Sequence, residues 1–465
     1  MPHFIRLLIL ALVFMPALST QAGDVKDTDV YARLKKQLDA VPAIDTHSHL
    51  GGPGNMKHFV EHAFRGEQPK DCALRRVWNT SYFTWGHNLA PWPADHRFDT
   101  WWTAAQADFN NSRARSAYRA MLPIFQDLYN VDFESLTLEQ ARELNTRMEK
   151  NLMDPDWADE VIRKRANTEL IVVDSFVMPR QVRGHHPFAV SACNVRWLIN
   201  GFHPSEFSRF PAEDPYAFAA QHKMPVESLD DYVAVVDRIL AESKKAGAIC
   251  LKSQTAYDRT LQFDRVAKHR AEEAFGKPRN ELKWGQVKAF QDYLFWRLAE
   301  LSAKHELPFQ IHTGHAYIQG SNPMNLVDLI QANRKTKFIL FHGGFPWVGE
   351  TGMIALRCPN VWVDSVWMPV LSYTMGKRAY KEWLDMFSSN RIMWGSDLFT
   401  VEGTYGTTMY TRQCITEALA EKVVAKELRE EDALRIGRQI LRENALEIFP
   451  SLRKLTKENK TMSDD

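Results

Sequence analysis

This chain of 465 residues predicts an α/β fold, a closed (β/α)8 TIM barrel with a helical insertion between its first and second strands. Three observations carry that reading. Short, near-continuously apolar runs recur eight times, over 41–45, 170–174, 195–200, 248–252, 308–312, 337–342, 361–365 and 391–395, as expected of parallel strands buried on both faces. From the fourth run onward, helical patterns separate them, at 286–305, 325–332, 349–356 and 380–387. Polar side chains suited to metal or acid–base chemistry stand where several runs stop, and strand C-termini are where a barrel presents its functional groups. An open dinucleotide-binding sheet fits less well, because no Gly-x-Gly-x-x-Gly turn follows the first strand.

The elements follow in order. Residues 1–22 read as a signal peptide: Arg6 and the amino terminus supply positive charge, 7–18 are apolar, and Thr20-Gln21-Ala22 offers small residues for cleavage after Ala22. That apolar run is shorter than the roughly 20 residues that span a bilayer. Secretion or export to the periplasm is the expectation, with no membrane anchor after cleavage. The barrel domain is expected over 23–450, beginning with a short amphipathic helix at 30–38. The insertion occupies 50–168, is rich in Trp and Phe, and leaves from the C-terminal end of strand one, so it should cover the active face as a lid or wall. A polar stretch at 256–283 reads as a second long loop. The charged segment 451–465 reads as a disordered tail.

Composition narrows the function. The 58 basic and 57 acidic residues leave a formal charge of +1, which gives no electrostatic footprint for nucleic acid or an anionic membrane. A small-molecule substrate is the expected partner, and homo-oligomerisation is compatible with the sequence. The five cysteines, Cys72, Cys193, Cys250, Cys358 and Cys414, are scattered without Cys-x-x-Cys spacing and read as buried thiols.

The chemistry sits at the strand ends. In Ala43-Ile44-Asp45-Thr46-His47-Ser48-His49 two histidines two apart point the same way from a strand end, which makes half of a site for a divalent metal, most simply zinc. His312 ends the fifth run and is expected to ligate the same ion. Asp397 follows the eighth and is expected both to ligate and to accept a proton from an activated water. His342, after the sixth run, either holds a second ion or polarises the substrate and transfers a proton. Lys252, at the end of the fourth, admits three readings: a carbamylated metal bridge, a cation for a substrate carboxylate, or a structural ion pair. Tyr257, Arg259, His315 and Arg180 are further candidates for substrate binding, the arginines because guanidinium binds carboxylate through two bonds. Other catalytic schemes lack their motifs: no Gly-x-Ser-x-Gly and no His-Glu-x-x-His occurs.

In strand order, His47-x-His49, Lys252, His312, His342 and Asp397, with Glu443-Asn444-Ala445 and Ile448-Phe449 near the end, resemble the amidohydrolase superfamily and its amidohydrolase-related branch. The resemblance spans about 40–450 apart from the insertion. It implies one or two divalent metal ions, usually zinc, and hydrolysis of an amide, ester or lactone bond. The insertion, with Tyr82-Phe83-Thr84-Trp85, is similar to that of uronate isomerases. The expected function is therefore an exported metal-dependent hydrolase acting on a small, carboxylate-bearing substrate. The alternatives on the same site are aldose–ketose isomerisation and non-oxidative decarboxylation, and from another class, a non-catalytic barrel that binds a small ligand.

Overall fold

A computed structural model describes residues 23–51, 71–174, 186–209 and 211–456. The signal peptide expected over 1–22 and the candidate Arg180 lie outside the described residues.

Eight parallel strands close into a barrel. They are β1 (Ala43–Ser48), β2 (Thr168–Val173), β3 in two pieces (Ala189–Ser191 and Cys193–Asn194), β4 (Leu251–Ser253), β5 (Phe309–Ile311), β6 (Phe338–Leu340), β7 (Val361–Asp364) and β8 (Ile392–Met393). Ala192, between the two pieces of β3, donates its N–H to Val173 O at 2.9 Å, and Cys193 donates to Cys250 O at 2.8 Å, so one strand pairs with both neighbours. Closure is made by Thr46 N–H to Trp394 O (3.2 Å) and Asp397 N–H to His47 O (2.9 Å). That second bond ties the turn after β8 to the His-x-His segment. The strands are short and almost wholly buried, because helices cover them outside and side chains fill them inside.

The third strand differs from its expected place. It runs through 189–194, whereas 195–200 turns into a short 3-10 helix, Trp197–Asn200. Both stretches are apolar and adjacent, and periodicity alone does not separate a buried strand from a buried turn.

Helices begin where capping chemistry allows. Thr28 caps α1 (Asp29–Asp39), accepting from Tyr31 N–H at 3.2 Å, and Leu34 and Leu38 form its buried face. Between β1 and β2 the described chain is helical: α2 (Ala73–Asn79), α3 (Phe98–Ser112) and α4 (Leu138–Met153), the last closed by a Thr137/Gln140 capping box. These helices own a separate core centred on Trp78, whose ring lies 4.9 Å from Phe109, 5.1 Å from Phe133 and 5.2 Å from both Phe83 and Tyr118. The later barrel helices include α5 (Leu229–Lys245), α6 (Trp284–His305) and α7 (Val401–Val424). Helix α7 is buried nearly all round because it lies between the barrel and the insertion. Trp157 Nε1–H and the Tyr129 hydroxyl both donate to Glu402 Oε1, at 2.9 and 3.2 Å, and Gly406 leaves room for Ala120 O, which a Cβ there would approach to 2.5 Å.

Arg412 on α7 seals the opposite mouth of the barrel. Its guanidinium is buried, which pushes its pKa down to about 10, and it donates to Leu38 O (2.7 Å), Val41 O (2.9 Å), Asn167 O (2.9 Å) and Ala166 O (3.3 Å). Arg412→Met removes four hydrogen bonds to these buried carbonyls, of which Leu38 O and Asn167 O keep backbone donors, and is expected to lower the unfolding free energy by about 2–3 kcal/mol in urea titrations.

The packed chain also extends past the boundary expected at 450. Residues 452–456 are helical with Leu452 and Thr456 buried, so the disorder expected from 451 onward does not hold there. All five cysteines are buried free thiols.

Candidate metal centre

His47, His49 and Asp397 converge at the C-terminal mouth. One ligand atom from each falls within 4.8 Å of the others. His47 Nε2 stands 3.3 Å and His49 Nε2 3.1 Å from Asp397 Oδ1. Zinc bonds of about 2.0–2.2 Å arranged as a tetrahedron separate ligand atoms by about 3.3–3.6 Å, so the spacing fits one small cation. The two histidines arrive together because they lie two apart at a strand end, with ring centroids 4.8 Å apart. Asp397 arrives through the left-handed backbone of its own residue (φ +60°), held by its N–H to His47 O. It does not cap the following helix, a role taken by Thr400.

Hydrogen bonds behind the ligands fix their tautomers. A carbonyl oxygen only accepts, so His49 Nδ1–H donates to Asp174 O at 2.9 Å, and Nε2 presents a lone pair to the centre. By the same logic His342 Nδ1–H donates to Val366 O (2.9 Å), leaving Nε2 to accept from His312 Nδ1–H (2.9 Å). His312 Nε2 is then unprotonated, buried and without a hydrogen-bond partner, and both ring nitrogens of His47, one of which carries a proton in the neutral ring, are buried without one too. Such buried orphan groups are costly unless something meets them.

The electrostatics agree. Burial would raise the Asp397 carboxyl, yet the adjoining His47 and His49 imidazoles hold it well below the carboxylate range. Burial opposes charge on His49 too, but Asp397 raises its pKa. Burial together with the Lys252 charge pushes His47 well below its usual value, and burial takes His342 down to about 3. Burial thus keeps the His47 and His342 imidazoles neutral beside an ionised carboxylate, the protonation state that metal ligands require, whereas Asp397 favours the charged form of His49, whose proton a cation would have to displace.

The remaining candidates divide. His312 lies beside the compact trio rather than within its 4.8 Å group, packed at 4.2 Å against His342 and at 4.4 Å against the Tyr257 ring. His342 was expected to meet substrate or a second ion; both its ring nitrogens are instead engaged with Val366 and His312, which makes it the group that orients His312. Lys252 is buried, its ammonium 3.8 Å from the Phe341 ring centroid, and burial pushes it down to about 8 against the pull of Asp397, Asp174 and Asp364.

Arg259 is a correction. It donates to Asp292 Oδ1 (2.6 Å), Gln291 Oε1 (3.0 Å), Gln262 O (3.0 Å) and Thr260 O (3.1 Å), all buried or part-buried, and so binds the loop after β4 to α6 instead of substrate. His315 and Tyr257 do reach the mouth. His315 packs against Trp367 (4.9 Å) and Trp85 (5.4 Å), and Tyr257 lies 6.0 Å from Trp85.

Sequence reasoning missed three site residues. Asp174 ends β2, orients His49 through its carbonyl, and accepts from Gln254 Nε2 (2.7 Å) and Asn194 Nδ2 (3.0 Å) with its carboxylate. Its place at a strand end was the signal. Trp367 follows β7 with φ +61°, and its ring lies 5.4 Å from His342. Tyr82 comes from the insertion, also left-handed (φ +64°), packs its ring tilted against Trp367 with centroids 4.1 Å apart, and turns its hydroxyl toward Asp397. Next to it opens a cavity of about 440 Å³ whose lining includes Tyr82, Trp85, Arg115, His315, Phe345 and Trp367.

Comparison with known proteins agrees with this geometry. The amidohydrolase family model matches residues 261–450, the stretch that carries His312, His342 and Asp397. Protein fluG of Emericella nidulans is 26% identical over 148 residues, 30% of this chain but 17% of that protein, so the chain spans under a fifth of that relative's length. Among solved structures, a glucuronate isomerase from Caulobacter crescentus superposes with a TM-score of 0.70 at 13% identity, covering 92% of this chain and 95% of that one. A uronate isomerase from Thermotoga maritima gives 0.65 at 13% identity, covering 90% and 97%. A Lactobacillus casei protein assigned as a metal-dependent hydrolase gives 0.62 at 16% identity, covering 91% and 98%. At such identities the likeness is one of fold. The chain is thus similar to amidohydrolases over 261–450 and shares its fold with uronate isomerases and with the Lactobacillus casei protein.

Proposed function

We propose that the protein is an exported, zinc-dependent hydrolase that adds water across an amide, ester or lactone bond of a small carboxylate-bearing molecule. The observation that carries this reading is the trio of His47 Nε2, His49 Nε2 and Asp397 Oδ1, gathered around a space of one cation's size. A divalent cation bound there supplies Lewis acidity and brings a water's pKa to about 7.

The protein's own groups do the rest. Asp397 Oδ1 faces the two imidazoles, which leaves Oδ2 to take a proton from an attacking water. His342 holds His312 with its Nε2 lone pair outward. Tyr82, kept a neutral phenol by burial and by the nearby Asp397 charge, can donate a hydrogen bond at the reacting end of the substrate. Trp85, Trp367 and Phe345 line the adjoining cavity with aromatic surface for the body of the substrate.

The whole-length fold likeness to uronate isomerases supports a second reading, aldose–ketose isomerisation at the same centre. Product analysis separates the two. Zinc- or manganese-loaded protein, incubated in isotopically labelled water with N-acyl amino acids, dipeptides, lactones and uronates, is expected to yield cleaved products carrying one labelled oxygen. Isomers of unchanged mass from the uronates, with no cleavage elsewhere, contradict the hydrolase reading.

A further inference from the structure

The proposed substrate carries a carboxylate, and the described cations expected to bind it do not line the cavity beside the trio. Arg259 is engaged with Asp292 and backbone carbonyls, and Lys252 is buried with its ammonium over the Phe341 ring. Arg115, between α3 and a short helical turn of the insertion, does line that cavity. Its guanidinium is half-buried, which lowers its pKa, and it makes no ion pair among the described residues. Its described contacts are the Ser112 hydroxyl at 3.4 Å and the Phe83 ring, 5.3 Å from the centroid. A cation partly removed from water without an anion is costly, and the fork of a guanidinium matches a carboxylate.

A second observation concerns room. A Cβ on Gly86 would lie 2.6 Å from Arg115 Nη2 and 3.2 Å from its Cζ. Gly86 has φ −120°, ordinary for any residue, so what the missing side chain provides here is space for the guanidinium. The cavity also communicates with the reacting centre: Tyr82 and Trp367 line it, while the Tyr82 hydroxyl faces Asp397 and Trp367 packs on His342.

Resting on the hydrolase reading for the reaction itself, we infer that Arg115 binds the carboxylate of the substrate at the far wall of this cavity, with the planar or apolar body of the molecule held between Trp85, Tyr82 and Trp367. The insertion then decides which substrates enter, and the barrel strands decide what happens to them.

Phenylacetate and phenylacetamide test this as a matched pair, titrated against the intrinsic tryptophan fluorescence of zinc-loaded and chelator-treated protein. The expected result in both forms is that phenylacetate binds about tenfold more tightly, the margin of one charge-assisted hydrogen bond. Arg115→Gln and Gly86→Ala should each abolish that preference while leaving phenylacetamide affinity and zinc stoichiometry unchanged, and Arg115→Lys should keep part of it. Gly86→Ala retains the charge and only displaces it, so it guards against misfolding of the arginine variant. The inference is overturned if phenylacetate does not bind, if the two ligands bind equally, if the preference survives Arg115→Gln, or if it exists only with zinc present. None of these readings requires turnover, so a failure to hydrolyse any substrate counts against the reaction alone.

Discussion

Asp397→Asn is expected to lower kcat at least about a thousandfold while the barrel stays folded. The variant keeps the size and the backbone turn of the residue but removes the one anion of the trio, together with the group placed to take a proton. General-base loss alone is worth about 10²–10⁴ in rate, and weakened metal affinity adds to it. Thermal unfolding of the metal-free variant should shift little, because the Asp397 N–H bond to His47 O that closes β8 on β1 belongs to the backbone. Steady-state kinetics beside a circular-dichroism melt checks both halves. Full activity with bound metal would remove Asp397 from the mechanism.

Trp78→Ala should cost about 3–5 kcal/mol, the range for deleting a buried tryptophan, and the loss should fall on the insertion. Trp78 is fully buried in a core separate from that of the barrel, with Phe83, Phe109, Tyr118, Phe125 and Phe133 around it. Hydrogen exchange should therefore accelerate over 71–165 while strands β4–β8 keep their protection. Zinc stoichiometry should survive, since His47, His49 and Asp397 stand on barrel strands or the turns that follow them. Substrate affinity should fall, because Tyr82 and Arg115 are carried by the insertion. Uniform loss of protection across both bodies would mean that they unfold as one unit.

The barrel and its trio were legible because near-continuous apolar runs and the residues that end them are properties of local sequence. His47 and His49 could be placed on one side of a strand end without knowing anything else. Partners chosen by tertiary packing were not legible. Arg259 follows Lys252 closely in sequence, yet its fate is set by Asp292 on α6, and both ring nitrogens of His342 are taken by Val366 O and His312. Tyr82, Trp367 and Arg115 owe their roles to left-handed turns or to the docking of the insertion, which no hydrophobic pattern encodes. The shift of the third strand from 195–200 to 189–194 belongs to the same class, two adjacent apolar runs competing for one place in the sheet.

Anomalous diffraction from zinc-loaded crystals tests the central claim most directly. The expected result is an ion bound by His47 Nε2, His49 Nε2 and an Asp397 oxygen at about 2.0–2.2 Å. Zinc bound elsewhere, or a trio that stays empty at saturating zinc, would contradict it.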